Sequence, residues 1–205
     1  MGWYSRHVMP RVVGFVCSRS FFDPWRAQAL EGLEGDVLEI GMGSGANLAH
    51  YPSTVRRIVG AEPDALARRR ALARPIGPGT TLEFARLDDG GVEMADATVD
   101  HVVCSFTLCT VDDPRATLHE LHRVVRPGGS LRLLEHGRAP DDATQRWQRR
   151  LDSWERRWAG GCSLIRDPLE ILESSPWVVE TCSQSYARGP RPWSYFSVIR
   201  ARRPA

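Results

Sequence analysis

Residues 37–48, VLEIGMGSGANL, constrain the fold more than any other stretch of the chain. Val37 to Ile40 is an apolar run suited to a buried strand, and Gly41, Gly43 and Gly45 follow at once, so the chain turns sharply where a backbone can lie against a ligand. Further strand-like runs follow: RRIVGAE (56–62), TLEFARL (81–87), TVDHVVC (98–104) and SLRLLE (130–135), with helical segments between them. That alternation predicts a parallel sheet with helices on both faces. Helix starts are marked at Asp23-Pro24, Asp113-Pro114 and Asp167-Pro168, where a carboxylate can cap and proline fits the first turn. RPGG at 126–129 is expected to close the helix from Pro114 and turn into the next strand. WVVETC (177–182) and YFSVIRA (195–201), joined by a loop with Gly189, Pro190 and Pro192, predict an antiparallel edge.

Composition removes several alternatives. A chain of 205 residues that is 42% hydrophobic buries one core, so a single domain is expected over residues 1–205. Within it, 1–34 reads as a helical cover, 35–136 as the ligand-binding core, and 137–205 as the acceptor-side helix and closing strands. A net charge of +2 without a basic, aromatic-studded stripe argues against nucleic acid as a partner. All 27 basic residues are arginine, which excludes a phosphate-loop lysine, a Schiff-base lysine and a lysine base. Five cysteines with no CxxC pair predict reduced thiols, a cytoplasmic protein and no metal site. The apolar run from Val12 to Cys17 is too short for a membrane span. Trp3, Tyr4, Phe15, Phe21 and Phe22 among arginines leave a peripheral membrane contact open, with a covering amphipathic helix as the preferred reading. From Asp141 to Trp158 a helix is expected, with Trp147, Leu151, Trp154 and Trp158 forming one apolar stripe. That stripe is expected to pack against the sheet or the N-terminal helix, or to roof an acceptor pocket.

Gly41, Gly43 and Ala46 also satisfy the dinucleotide fingerprint, with Glu62 at the remove needed for ribose hydroxyls, so a nicotinamide oxidoreductase is the alternative reading. Gly45 in GxGxG spacing, Glu39 just before the turn, and the lack of a second domain point elsewhere. The ordered motifs VLEIGMGSG, VGAEPD, DATVDHVVCSFTLCTVDDP and ELHRVVRPGGSLRLLEHG resemble those of class I methyltransferases that use S-adenosylmethionine. The resemblance covers nearly the whole chain. Through SFTLCTV, LLEHG and AGGCSLIRDP the chain is similar to the type 11 branch near the ubiquinone methyltransferases, and especially to small thiol methyltransferases.

The resemblance implies a Rossmann-like seven-stranded, mostly parallel sheet with its last strand antiparallel, and S-adenosylmethionine at the carboxyl ends of the first strands. It assigns Glu39, Gly41, Gly43, Gly45, Glu62, Pro63, Ser105 and Phe106 to the cofactor, with Glu62 on the ribose hydroxyls. Asp88 or Asp89 would meet the adenine amino group, although LDDGGVEMADATVD departs from the usual pattern there. Tyr4, His7, Cys109, Cys162 and Arg166 would face a small-molecule acceptor, preferably a thiol, with an amine, hydroxyl or quinone-like carbon next. Asp167 reads rather as a helix cap, and Cys104 as a small buried apolar residue. His136, just after SLRLLE at the ligand edge of the sheet, is the candidate base, with loop ordering as the competing role. A cofactor-binding protein without catalysis is the third reading.

Overall fold

The computed structural model describes residues 20–88 and 91–205, with the Asp88 side chain outside the description. Seven strands form one sheet in the order β3-β2-β1-β6-β7-β9-β8. They are β1 (Gly35–Ile40), β2 (Val55–Ala61), β3 (Thr81–Phe84), β6 (Val99–Ser105), β7 (Val125–His136), β8 (Val178–Tyr186) and β9 (Tyr195–Arg202). A separate hairpin pairs β4 (Leu87–Asp88) with β5 (Gly91–Val92). The first five strands of the sheet pair in parallel, whereas β9 runs antiparallel to both β7 and β8. The order reverses at β1, so β2 and β6 flank it and their carboxyl ends open a crevice where such sheets bind ligands.

Side-chain alternation explains how one sheet feeds two cores. Leu38, Ile40, Val102, Cys104, Leu131 and Leu133 point to one face, where α3 (Pro114–Val124) and α5 (Pro168–Glu173) cover them with Leu118, Leu121 and Leu172. Val37, Ile58 and Val103 point to the other face and meet Leu30 and Leu33 together with Ala71 of α2 (Ala65–Leu72). Helix α1 (Asp23–Leu30) lies beside β7 and β9, with Ala29 against Leu134 and Val198.

The Asp-Pro signals divide in the structure. Asp113 caps α3 through the amides of Arg115 and Ala116, and Asp167 caps α5 through Leu169 and Glu170. Asp23 does not cap: Phe22 occupies the N-cap position, and the Asp23 carboxylate meets His50 Nε2 at 3.2 Å. RPGG is not a separate turn either, because β7 starts at Val125 directly after α3 and absorbs the glycines in an irregularity of its pairing with β6.

The tryptophan helix α4 (Asp142–Trp158) has the expected bounds within a residue, but the face it buries is polar. Thr144, Gln148, Asp152 and Glu155 are buried, while Trp147 and Trp154 are 56% and 55% exposed. The stripe therefore does not pack on the sheet. Gln148 accepts from Ala139 N and donates to the carbonyls of Gly137 and Pro192; Asp152 accepts from Ser163 Oγ and Leu164 N; Glu155 accepts from Trp193 Nε1. Of the N-terminal cover expected over 1–34, residues 1–19 lie outside the described residues, and the described part forms α1 beside β7 and β9. Among the described residues no helix is long and apolar enough to cross a membrane.

Candidate active site

All three glycines after β1 adopt the left-handed conformation, with φ of +63° at Gly41, +57° at Gly43 and +74° at Gly45. Their reasons differ. A Cβ on Gly41 would stand 2.1 Å from Thr107 Oγ1, and one on Gly45 would stand 2.6 Å from Leu48 Cδ1 and 3.0 Å from Ala71 Cβ, so both permit close packing inside the protein. At Gly43 the nearest atom would be the Gly41 carbonyl oxygen at 3.9 Å, so this position alone among the three faces open space on the ligand side of the turn.

Glu62, immediately after β2, ties that turn to the second strand. Its Oε2 accepts from Gly43 N at 2.8 Å and its Oε1 from Asp64 N at 2.9 Å. Each carboxylate oxygen retains a second acceptor direction, which suits a pair of vicinal hydroxyls such as those of a ribose. Pro63 follows and is exposed, and Asp64 caps α2 through Ala67 N. These residues fit a ribose-bearing cofactor lying across the carboxyl ends of β1 and β2.

Glu39 is 2% exposed beneath the turn and is occupied by the protein: Asn47 Nδ2 donates to Oε1 at 2.9 Å and the Tyr51 hydroxyl to Oε2 at 2.8 Å. Burial pushes its carboxyl up to about 7, against the pull of these bonds and of the Arg26 charge. Asn47 also donates to Ser105 Oγ at 3.1 Å and accepts from Arg26 Nη1. The turn, α1 and the end of β6 are thus joined through one buried network. Asn47, Tyr51 and Arg26 were not singled out from the sequence; the ANLAHY segment directly after the glycines carried the first two, whereas Arg26 had no local mark.

Phe106, after β6, has φ of +53°, unusual for a residue with a side chain. The next turn is held by Glu135, fully buried at the end of β7, which accepts from the amides of Thr107 (2.8 Å), Leu108 (2.9 Å) and Cys109 (3.3 Å) and from Cys104 Sγ (3.2 Å). Burial raises its carboxyl to about 7, the same donors opposing. Cys104 is therefore buried as expected but is also a hydrogen-bond donor. His136 is 6% exposed; its Nε2 donates to the Pro192 carbonyl at 3.2 Å, and its ring meets Phe196 at 5.7 Å. A carbonyl only accepts, so Nε2 carries the proton in that bond; Nδ1 is buried and has no hydrogen-bond partner of its own.

The acceptor-side candidates separate. Cys162 lies beside Cys109 and His136, which hold its thiol well below its ordinary range. Arg166 is instead committed to the backbone, donating to the carbonyls of Leu108 (2.8 Å) and Val111 (2.7 Å), so it staples the β6–α3 loop. Asp167 pairs with Arg138 at 3.0 Å while capping α5, as its cap reading requires. Tyr4, His7 and Asp89 lie outside the described residues, as does the Asp88 side chain, so the adenine contact has no geometry here. Among the described residues no group of three or more His, Cys, Asp or Glu side chains could hold a metal ion.

Comparison with known proteins agrees with this geometry. The family described as "Methyltransferase domain" matches residues 38–133. The human thiol S-methyltransferase TMT1B is 32% identical over 155 residues, 72% of this chain and 63% of that protein. A phosphatidylethanolamine N-methyltransferase of Cereibacter sphaeroides is 29% identical over 150 residues, 69% of this chain and 73% of that one. The chain thus spans about three fifths of the thiol methyltransferases it matches. Among solved structures, the N-methyltransferase NodS of Bradyrhizobium japonicum in complex with S-adenosylhomocysteine superposes with a TM-score of 0.67 at 18% identity, covering 91% of this chain and 89% of that one. With the strand order, the glycine turn and the Glu62 bridge in place, the chain belongs to the class I S-adenosylmethionine-dependent methyltransferases.

Proposed function

We propose that this protein transfers the methyl group of S-adenosylmethionine to a small-molecule acceptor, and that the acceptor atom is a thiol sulfur. The observation that carries the reading is the Glu62 carboxylate bridging Gly43 and Asp64 beside the open face of the glycine turn. Bound there, the cofactor supplies an electrophilic methyl on a sulfonium, and the acceptor sulfur forms its bond to that carbon as the sulfonium bond breaks. In-line alignment and exclusion of water carry much of such a rate, so no elaborate catalytic array is needed. The residue offered for proton removal from the acceptor is His136, at the ligand edge of the sheet, its ring oriented by the Nε2 bond to the Pro192 carbonyl. The thiol preference is supported by the curated relatives named as thiol S-methyltransferases.

The test offers the purified protein S-adenosylmethionine with an alkyl thiol, an amine, a phenol and a quinone, and follows methylated products by mass. Thiol methylation is expected; transfer only to another class would overturn the acceptor assignment. Binding of a nicotinamide cofactor in place of S-adenosylhomocysteine would overturn the whole reading. If His136 takes the proton, His136→Ala should lower turnover by about 10² to 10⁴ at neutral pH, with the deficit shrinking as pH passes the acceptor thiol's pKa of ~8.5. A deficit independent of pH would leave His136 only the ordering of the Pro192 loop.

A further inference from the structure

Cys109 and Cys162 lie on adjoining segments outside the glycine turn and the Glu62 bridge. Cys109 lies in the turn after β6 and is buried; Cys162 lies in the loop after α4 and is half-buried. Their backbones are fastened together from both sides. Ser163 N donates to the Cys109 carbonyl at 2.9 Å, and a Cβ at Gly161 would stand 3.1 Å from the Thr110 carbonyl, so 161–163 runs directly against 109–110. The contact sets the two cysteines on adjoining segments, as a disulfide between them requires. The two side chains lie next to each other, and neither is in a disulfide.

The surroundings distinguish the two sulfurs. His136 is buried, its Nε2 is spent on the Pro192 carbonyl, and its side chain lies beside the Cys162 thiol. The Cys109 thiol and the His136 side chain hold the Cys162 thiol well below its ordinary range, against its burial and the nearby Asp152 carboxylate. Asp152 is itself engaged by Ser163 Oγ and Leu164 N, which pins the loop on the far side of Cys162. Cys104 sits apart, its thiol donated to Glu135. Cys182 is exposed on the edge strand β8, where burial and the Asp167 and Glu173 carboxylates push its thiol up.

We propose that Cys162 and Cys109 form a peroxide-sensitive thiol pair, Cys162 being the sulfur oxidised and Cys109 the one that resolves it into a reversible disulfide. In the first step the Cys162 sulfur attacks one oxygen of a hydroperoxide, the O–O bond breaks, and the leaving oxygen departs with a proton as water or alcohol, leaving Cys162 as a sulfenic acid. In the second the Cys109 sulfur attacks that sulfur, the S–O bond breaks, and water leaves. Two thiols lose two electrons and the peroxide gains them. This modification site stands independently of which acceptor the enzyme methylates.

The experiment uses the full chain carrying Cys17→Ser and Cys182→Ser, treated with hydrogen peroxide and digested without reductant. The expected product is a peptide pair joined through Cys109 and Cys162, lighter by two hydrogen atoms than the two thiols, which dithiothreitol separates again. Adding Cys109→Ser should stop the reaction at a Cys162 sulfenic acid that dimedone traps, whereas adding Cys162→Ser should leave Cys109 unreacted over the same time. The proposal is overturned if no Cys109–Cys162 link forms at peroxide exposures that oxidise Cys182 in the parent. It is equally overturned if Cys109 reacts as fast without Cys162, or if the link runs to Cys104.

Discussion

Replacing Glu62 with alanine separates the two tasks its carboxylate performs. In the free protein the change strips acceptors from two backbone amides, Gly43 N at 2.8 Å and Asp64 N at 2.9 Å, both only part-buried. Water can replace some of what is lost, so the fold should lose about 1 to 2 kcal/mol, toward the lower end for hydrogen bonds to a charged group. In the complex the change also removes the acceptor for two ribose hydroxyls. Two charge-assisted bonds, net of their exchange with water, correspond to about 2 to 3 kcal/mol, a weakening of roughly 30- to 140-fold. Glu62→Gln keeps one oxygen but turns an NH₂ toward an amide N–H, so it should fall between parent and alanine on both measures. Calorimetric titration with S-adenosylhomocysteine reads the affinity, and urea unfolding of the unliganded proteins reads the stability. A folded Glu62→Ala protein that binds as tightly as the parent would refute the ribose assignment and leave Glu62 a strut for the glycine turn.

The glycines provide a second contrast. Gly41→Ala should lower stability through Thr107 and be partly rescued by Thr107→Ala, whereas Gly43→Val should lose cofactor affinity beyond its backbone strain, because its side chain enters open space on the ligand side; equal cofactor loss in both would deny Gly43 its special place. Glu39 links stability to pH: its folded value of about 7 lies above the ordinary 4.5, so the folded state holds the proton more tightly and stability falls as pH rises from about 4.5 to 7, then levels. The fall attributable to Glu39 is about 3 kcal/mol at ~1.4 kcal/mol per pH unit. Glu39→Gln should therefore show a smaller drop in urea midpoint between pH 5 and 7.5, and an unchanged drop would remove Glu39 as its source. Arg166→Ala should destabilise the β6–α3 loop, and Arg166→Lys should recover part of the loss, since a single nitrogen, Nη1, makes both bonds to the Leu108 and Val111 carbonyls; weakened acceptor binding with unchanged stability would return Arg166 to the acceptor site.

The parallel half of the sheet was legible because its strands are buried on both faces and their apolar runs are nearly continuous, as in Val37 to Ile40 and Val102 to Cys104. Glu62 was legible for a related reason: a carboxylate at the end of the second strand, opposite a glycine turn, has few places to go. Arg26 was not, because its partner Asn47 is 21 residues away and nothing in DPWRAQAL distinguishes it from the surface arginines. Arg166 misled for the opposite reason. A cation in an acceptor-side motif suggests an anionic ligand, yet the Arg166 Nη1 is taken up by two carbonyls of a loop without any ligand.

Helix α4 carries the same lesson to the level of a whole element. Periodicity assigns the apolar stripe to the interior on the premise that the interior is made of other apolar side chains. What α4 meets is loop backbone: the segments 137–139, 162–164 and 190–193 present amides and carbonyls that no strand or helix pairs. A buried backbone group costs free energy unless it is bonded, so the face that covers these loops has to offer donors and acceptors; Gln148 and Asp152 do so, while Glu155 takes the Trp193 indole N–H. The loops so fastened carry Cys162 and the Pro192 carbonyl that orients His136. The polar interior of α4 is thus what holds these loops beside His136, and an apolar face in its place would leave them without partners.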